Sequence, residues 1–189
     1  MNIFVTSISP YKSALYLDDK RVVKMCLETT QILCTALNEL VGHQVTPLKS
    51  THVKHPCVIW AMSSLNNWYW LYRHGLYLFK EYENRYKRHH VYTRHANYLY
   101  CEAMQLLATE EERTTGIKSP EYFVNCAANK DLGLDFKSVP SVTYAYFLYL
   151  QERWKTDKRT PTWYGWSYPK LNKEYHNVFQ LIEEDYGNE

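Results

Sequence analysis

An apolar stripe at helical spacing between residues 19 and 40 constrains the fold more than any other feature. Apolar side chains that recur every three to four residues lie on one face of an α-helix. The stripe consists of Val22, Cys26, Leu33, Leu37 and Leu40. Asp18 or Asp19 can cap the start of this helix, and Gly42 stands just past its end. The segment therefore predicts a long helix with one buried face.

Further helices follow from apolar periodicity and from helix start signals such as Ser9-Pro10 and Pro56. Gly75 marks a kink or break in the longest of them. The predicted helices span residues 10–17, 57–88, 95–109, 141–157 and 172–185. Residues 3–5 are predicted to form a short extended arm, and residues 161–169 an aromatic loop. The sequence thus predicts an all-α fold, a compact helical bundle that forms a single domain over residues 1–189.

Composition agrees with a globular intracellular protein. Of 189 residues, 46% are hydrophobic and 22% are charged, which is enough apolar surface for a core. The five cysteines are odd in number and contain no CxxC pair, so we expect free thiols in a reducing cytoplasm. The sequence predicts no metal site, no cofactor, no signal peptide and no membrane span.

Aromatic and basic residues favour nucleic acid as the partner. The chain has 18 Tyr and six Trp, whose rings can stack on bases but can equally fill a core. Its formal charge is only +2, but residues 71–95 hold six Lys or Arg and two Glu. Such a basic segment can hold phosphates, and a solvated helix face explains the same charges.

One polar row on the long N-terminal helix could carry out nucleophilic chemistry. Lys20, Lys24 and Glu28 stand at i, i+4 and i+8. A lysine beside a carboxylate can attack a sugar C1′ and form a Schiff base. The alternative is an exposed row of i,i+4 salt bridges.

Three other groups are candidates for substrate binding. His55 at a helix start could bind a phosphate or a polar substrate. Arg85 follows Glu81 by one turn, with His89 and His90 nearby, and could form a phosphate clamp or an acid–base site. The most specific local signal is the aromatic run around Gly165, which predicts a stacking platform or a cap over the core. Its aromatic residues are Trp163, Tyr164 and Trp166.

Several segments resemble the phage pyrimidine-dimer DNA glycosylases of the endonuclease V type. The strongest is residues 149–166, with Pro161-Thr162-Trp163-Tyr164. The pair His55-Pro56 before a helix and the cluster Asp18-Asp19-Lys20-Arg21 occur in the order of that family. Residues 18–28 and 55–60 also resemble a group of small phage proteins, which would place the chain in the cytoplasm of an infected bacterium.

The resemblance implies a helical enzyme that flips a nucleotide out of duplex DNA. It further implies an N-terminal amine as nucleophile and a glutamate on the early helix as its acid–base partner. Asn2 is too large for efficient removal of Met1, which leaves the Met1 amine as the free one. An ungapped placement puts Arg21 where the glutamate is expected, and a shifted register brings in Asp18 or Asp19 instead.

The sequence therefore predicts a DNA glycosylase with AP-lyase chemistry on a damaged or modified pyrimidine. The alternative is a non-catalytic binder of nucleic acid or nucleotide that sequesters a nucleotide or inhibits a host factor. The candidate catalytic residues are Met1, Asp19, Lys20, Lys24 and Glu28. The candidate substrate-binding residues are Arg21, His55, Trp60, Asn67, Arg85, His90, Trp163 and Tyr164.

Overall fold

The computed structural model describes residues 1–164, and within them the chain is mostly helical. The helices are α1 (Pro10–Leu15), α2 (Asp19–Val41), α3 (Pro56–Met62), α4 (Leu65–Tyr86), α5 (Ala96–Leu106), α6 (Glu110–Thr115) and α7 (Val142–Thr156). Two short strands, β1 (Ala128–Asn129) and β2 (Leu134–Asp135), pair antiparallel. The all-α prediction is confirmed. The helix predicted at 172–185 and the loop after Tyr164 lie outside the described residues.

Helix ends follow the capping residues in the sequence. The Ser9 side chain accepts from the Lys12 N–H and starts α1. Gly42 ends α2 with a φ of 82°, a conformation that costs glycine little. Ser141 caps α7 in the same way as Ser9 caps α1. The predicted starts of these helices and the end of α2 are therefore confirmed to within about two residues.

The helix predicted over residues 57–88 is in fact two helices, and the break is not at Gly75. The first ends at Met62, and Ser64 starts the second by accepting from the Asn67 N–H. Gly75 lies inside α4, where a Cβ would be only 3.1 Å from Cγ2 of Thr29 on α2. The glycine is thus a site of close helix packing rather than a kink. Helix α6 and the strand pair were also not predicted.

The predicted N-terminal arm is buried in the core. Ile3 and Val5 are fully buried, and Phe4 packs against Tyr146 and Tyr149 with ring centroids 6.0 Å away in both cases. Phe4 has a φ of 46°, so the arm bends there. The bend and the ring contacts fix the start of the chain against α2 and α7. No helix in the described part of the chain is long and apolar enough to cross a membrane.

Candidate active site

The start of the chain lies against a carboxylate of α2. The backbone N–H of Asn2 donates to Oε2 of Glu28 at 3.1 Å. The Asn2 side-chain amide donates to the carbonyl of Cys126 at 3.2 Å, and its oxygen accepts from the N–H of Ile3 at 2.8 Å. Asn2 is therefore held between α2 and the segment before β1. Met1 directly precedes the residue whose N–H contacts the Glu28 carboxylate.

Glu28 also pairs with a lysine one turn earlier on α2. Lys24 Nζ is 3.2 Å from Oε1 of Glu28. The Glu28 side chain is 15% exposed, whereas the Lys24 side chain is 66% exposed. The two carboxylate oxygens thus contact different partners, the chain start on one side and a solvated ammonium on the other. A carboxylate in this position can accept a proton from an amine and later return it.

His55 borders the same region. It caps α3, where Nδ1 accepts from the N–H of Cys57 at 3.2 Å. Burial lowers the pKa of His55, the positive N-terminus and His52 lower it further, and Glu28 opposes them. His55 lies near the chain start, because its ring is within 4.8 Å of the Cys126 thiol and Asn2 donates to the Cys126 carbonyl. The imidazole is mostly neutral at pH 7 and can act as a hydrogen-bond partner there.

Two thiols complete the region. The Cys57 thiol donates to Sγ of Cys126 at 3.7 Å. This hydrogen bond raises the pKa of Cys57 and lowers the pKa of Cys126, while burial raises the pKa of both thiols. Cys126 was missed by the sequence analysis. It is 69 residues from Cys57 in the chain, and no local pattern connects the two.

Exposed cationic groups occur around this region. Lys24 is exposed beside Glu28, Lys54 is exposed and directly precedes His55 in the chain, and Lys137 is exposed while its charge lowers the pKa of Cys126. We call Lys24, Lys54 and Lys137 the cationic rim. Phosphates of a nucleic acid are attracted to such a rim because each contact releases a condensed counterion. The basic segment predicted from the sequence is a different one, residues 71–95.

The residues of the predicted row on α2, Lys20, Lys24 and Glu28, lie in two separate environments. Lys20 is two turns from Glu28, about 12 Å along the helix axis, and its Nζ pairs with Asp157 at 2.8 Å. Arg21 bonds both Asp157 and Asp18, each at 2.8 Å. Lys20 and Arg21 therefore fasten α2 to the end of α7, whereas Lys24 and Glu28 lie at the chain start.

Asp19 belongs to the cluster at the beginning of α2. It accepts from the hydroxyl of Thr162 at 2.6 Å and from the backbone N–H of Tyr164 at 3.0 Å. Arg85 donates to it at 3.2 Å. These contacts hold the 161–164 segment on α2. At the end of this segment, Tyr164 is 63% exposed to solvent.

Arg85 is an internal residue. Its side chain is fully buried and bonds the Glu81 carboxylate at 3.0 Å and the carbonyls of Leu17 and Leu15 at 2.7 and 3.1 Å. Burial raises the pKa of Glu81, and the charge of Arg85 opposes that rise. The Glu81–Arg85 pair thus connects α4 to the end of α1.

The other predicted binding residues contact the core. Trp60 is 2% exposed and donates to the carbonyl of Tyr122, and Trp163 is equally buried and donates to the carbonyl of Tyr16. Asn67 donates to the carbonyl of Trp60 at 2.9 Å. His90 lies between aromatic rings, 5.9 Å from Phe79 and 4.8 Å from Tyr82 by ring centroids. None of these contacts involves Asn2 or Glu28.

Comparison with known proteins finds one family. The model of the family described as pyrimidine dimer DNA glycosylase matches residues 1–94. The match contains the chain start, Glu28, His55 and Cys57, but not Cys126. No curated protein and no solved structure matches the chain.

Proposed function

We propose, on the premise that this chain is a relative of the pyrimidine dimer DNA glycosylase family, that it excises bases from DNA. The family supports a DNA-glycosylase type of function with DNA as the partner. Our finer proposal is a glycosylase with AP-lyase activity on a damaged or modified pyrimidine. The nucleophile is the amine at the start of the chain, and Glu28 is its acid–base partner.

The contact between Asn2 and Glu28 carries this proposal. A carboxylate within hydrogen-bond reach of a nucleophile can remove its proton in the transition state. The backbone nitrogen of Asn2 is 3.1 Å from Oε2 of Glu28, and the Met1 amine is the backbone nitrogen that precedes it. Neither Asp18 nor Asp19 takes this place, since their carboxylates bond Arg21, Arg85 and the 161–164 segment.

The chemistry needs one amine and one carboxylate. The amine nitrogen bonds to C1′ of the target nucleotide as the glycosidic bond breaks, and the base leaves with the bond's electrons. Glu28 accepts the proton released by the amine and returns it when the sugar ring opens to an imine. The imine then permits loss of the 3′ phosphate by β-elimination, which is the lyase step. Lys24 Nζ lies 3.2 Å from the other oxygen of the Glu28 carboxylate.

DNA binding in this proposal uses the cationic rim and Tyr164. Lys24, Lys54 and Lys137 are exposed near the chain start and can contact phosphates. Tyr164 is exposed near the start of α2, roughly two helical turns from Glu28, and can stack on a base. A duplex that spans both places would put a flipped nucleotide at the amine.

Glu28→Gln tests the proposal, with Glu39→Gln as the matched control on the exposed side of the same helix. The substrates are duplexes with a pyrimidine dimer, an oxidised pyrimidine or an abasic site, and an undamaged duplex. Glu28→Gln should lower strand cleavage at least about 100-fold, the usual effect of losing an acid–base group. Glu39→Gln should cleave like the wild type, and both variants should bind DNA.

Two results would overturn this assignment. Equal cleavage by Glu28→Gln and wild type would remove Glu28 from the chemistry. Absence of cleavage on every substrate, with salt-sensitive binding to DNA intact, would favour a non-catalytic nucleic-acid binder. A lysine nucleophile would be revealed if Lys20→Ala or Lys24→Ala, rather than a blocked N-terminus, abolished cleavage.

A further inference from the structure

We propose that His55, Cys57 and Cys126 form a binding site for a thiophilic divalent metal ion, with Zn²⁺ as the preferred ion. One potential ligand atom from each residue lies within 4.8 Å of the other two. This inference revises the prediction of no metal site, which rested on the absence of paired ligands in the sequence. It does not require the proposed base-excision activity, because the three side chains suffice for binding.

The separation of the two sulfur atoms suits a tetrahedral zinc ion. With Zn–S bonds of about 2.3 Å and tetrahedral angles, two thiolate ligands stand about 3.8 Å apart. Cys57 and Cys126 Sγ are 3.7 Å apart. Both sulfurs therefore need almost no movement to bind one ion. Binding replaces two thiol protons by one metal ion, so two protons are released.

His55 supplies the third ligand from the same turn of chain as Cys57. Its Nδ1 now accepts a hydrogen bond of 3.2 Å from the Cys57 N–H. A neutral imidazole that binds a metal through one nitrogen carries its proton on the other, so this bond is replaced when the ion binds. At 3.2 Å this hydrogen bond is at the long end of the usual range.

A fourth ligand can come from the start of the chain, which lies next to Cys126. Asn2 bonds the Cys126 carbonyl at 3.2 Å and the Glu28 carboxylate at 3.1 Å, which places the chain start beside the thiol pair. The N-terminal amine can complete the tetrahedron, as can water, whereas Glu28 does not belong to the group of ligand atoms that lie within 4.8 Å of one another. In the proposed enzyme a bound ion would compete for the amine that attacks C1′. Metal occupancy and imine formation would then exclude each other.

A disulfide is the other chemistry open to the thiol pair. It requires the two sulfurs to approach from 3.7 Å to about 2.05 Å, with loss of two electrons to an oxidant. A disulfide would involve only the two cysteines and would not use the nearby His55 imidazole. The third ligand and the small movement needed both favour the metal.

The test is Co²⁺ titration of the full-length, metal-free protein in a non-thiol reductant. We expect one equivalent to bind, with a near-ultraviolet thiolate-to-cobalt charge-transfer band and the visible bands of a tetrahedral site. Zn²⁺ should displace it. Cys126→Ser should lose the charge-transfer intensity and weaken affinity by more than the roughly 10- to 100-fold loss typical of an outer partner. Cys101→Ser, an exposed cysteine on α5, should behave like the wild type.

Cys57 is fully buried, and its replacement would disturb the core. The test therefore uses His55→Gln and Cys126→Ser, which are both at partly exposed positions. Circular dichroism confirms that each variant is folded. The proposal is overturned if wild type gives no charge-transfer band, or if Cys126→Ser keeps it. It is also overturned if air oxidation removes two hydrogens from the mass of wild type while the reduced protein binds no metal, since the pair would then be a redox couple.

Discussion

Replacement of Arg85 by methionine should destabilise the protein more than any surface change. Arg85 is fully buried and bonds Glu81, Asp19 and the carbonyls of Leu15 and Leu17. Arg85→Met leaves the buried Glu81 carboxylate without its counter-charge and two carbonyls without their donor. Removal of one partner of a buried ion pair costs about 3–5 kcal/mol. At this chain length that corresponds to a fall in Tm of roughly 10 °C.

Urea unfolding followed by circular dichroism measures this loss. Arg88→Met, which removes an exposed guanidinium 5.8 Å from the ring centroid of Tyr82, is the control and should cost less than about 1 kcal/mol. The double variant Arg85→Met with Glu81→Met should be less destabilised than Arg85→Met alone, because the buried Glu81 carboxylate is removed together with its partner. A loss of unfolding free energy below about 1 kcal/mol for Arg85→Met would refute the internal role of Arg85. So would a loss in the double variant that equals the sum of the losses in the two single variants.

Three further outcomes follow from the structure. Burial lowers the pKa of His74 from its ordinary 6.5 to about 4, so its neutral form stabilises the fold above pH 6.5. This contribution, roughly 3 kcal/mol, should be lost as pH falls from 6.5 to 4. Urea unfolding across that range checks it, and an unchanged slope in His74→Gln would contradict it. Gly75→Ala should destabilise the protein by about 1–3 kcal/mol because its Cβ would be 3.1 Å from Cγ2 of Thr29. Thr29→Ser should relieve that loss in a thermal melt, and no relief would disprove the clash. Zn²⁺ should inhibit imine trapping in wild type but not in Cys126→Ser, and equal inhibition of both would separate the metal site from the amine.

The helices were largely predictable because their signals are local. Ser9, Gly42 and Ser141 act on backbone groups within a few residues of themselves, so their effect is visible in the sequence. The break at Ser63 and Ser64 was missed because apolar periodicity continues across it. Gly75 suggested a kink because the sequence does not show Thr29 on the neighbouring helix.

The candidate site was predictable only in part. Glu28 and Lys24 share a helix face, so their spacing was visible. The contact of Glu28 with Asn2 depends on how the buried arm packs against α2, which no local pattern specifies. Cys126 reaches Cys57 only through the fold of the segment before β1.

The basic and aromatic face was hard to predict for a different reason. The type of a side chain does not reveal whether that side chain is buried. Arg85 and Trp163 are residue types that favour DNA contacts on a surface. Here Arg85 neutralises Glu81 and Trp163 packs against Trp154 in the interior. Their hydrogen-bond partners are backbone carbonyls and carboxylates distant in sequence, which only the fold brings together.

Borohydride trapping with peptide mapping identifies the nucleophile. The protein is incubated with a duplex that carries an abasic site or a pyrimidine dimer, and borohydride reduces any imine to a stable amine. We expect a covalent adduct on the first residue of the chain. The adduct should be absent from Glu28→Gln and from protein with a short N-terminal extension, and present in Glu39→Gln. An adduct on Lys20 or Lys24, or full trapping by the extended protein, would contradict the assignment of the N-terminal amine as nucleophile.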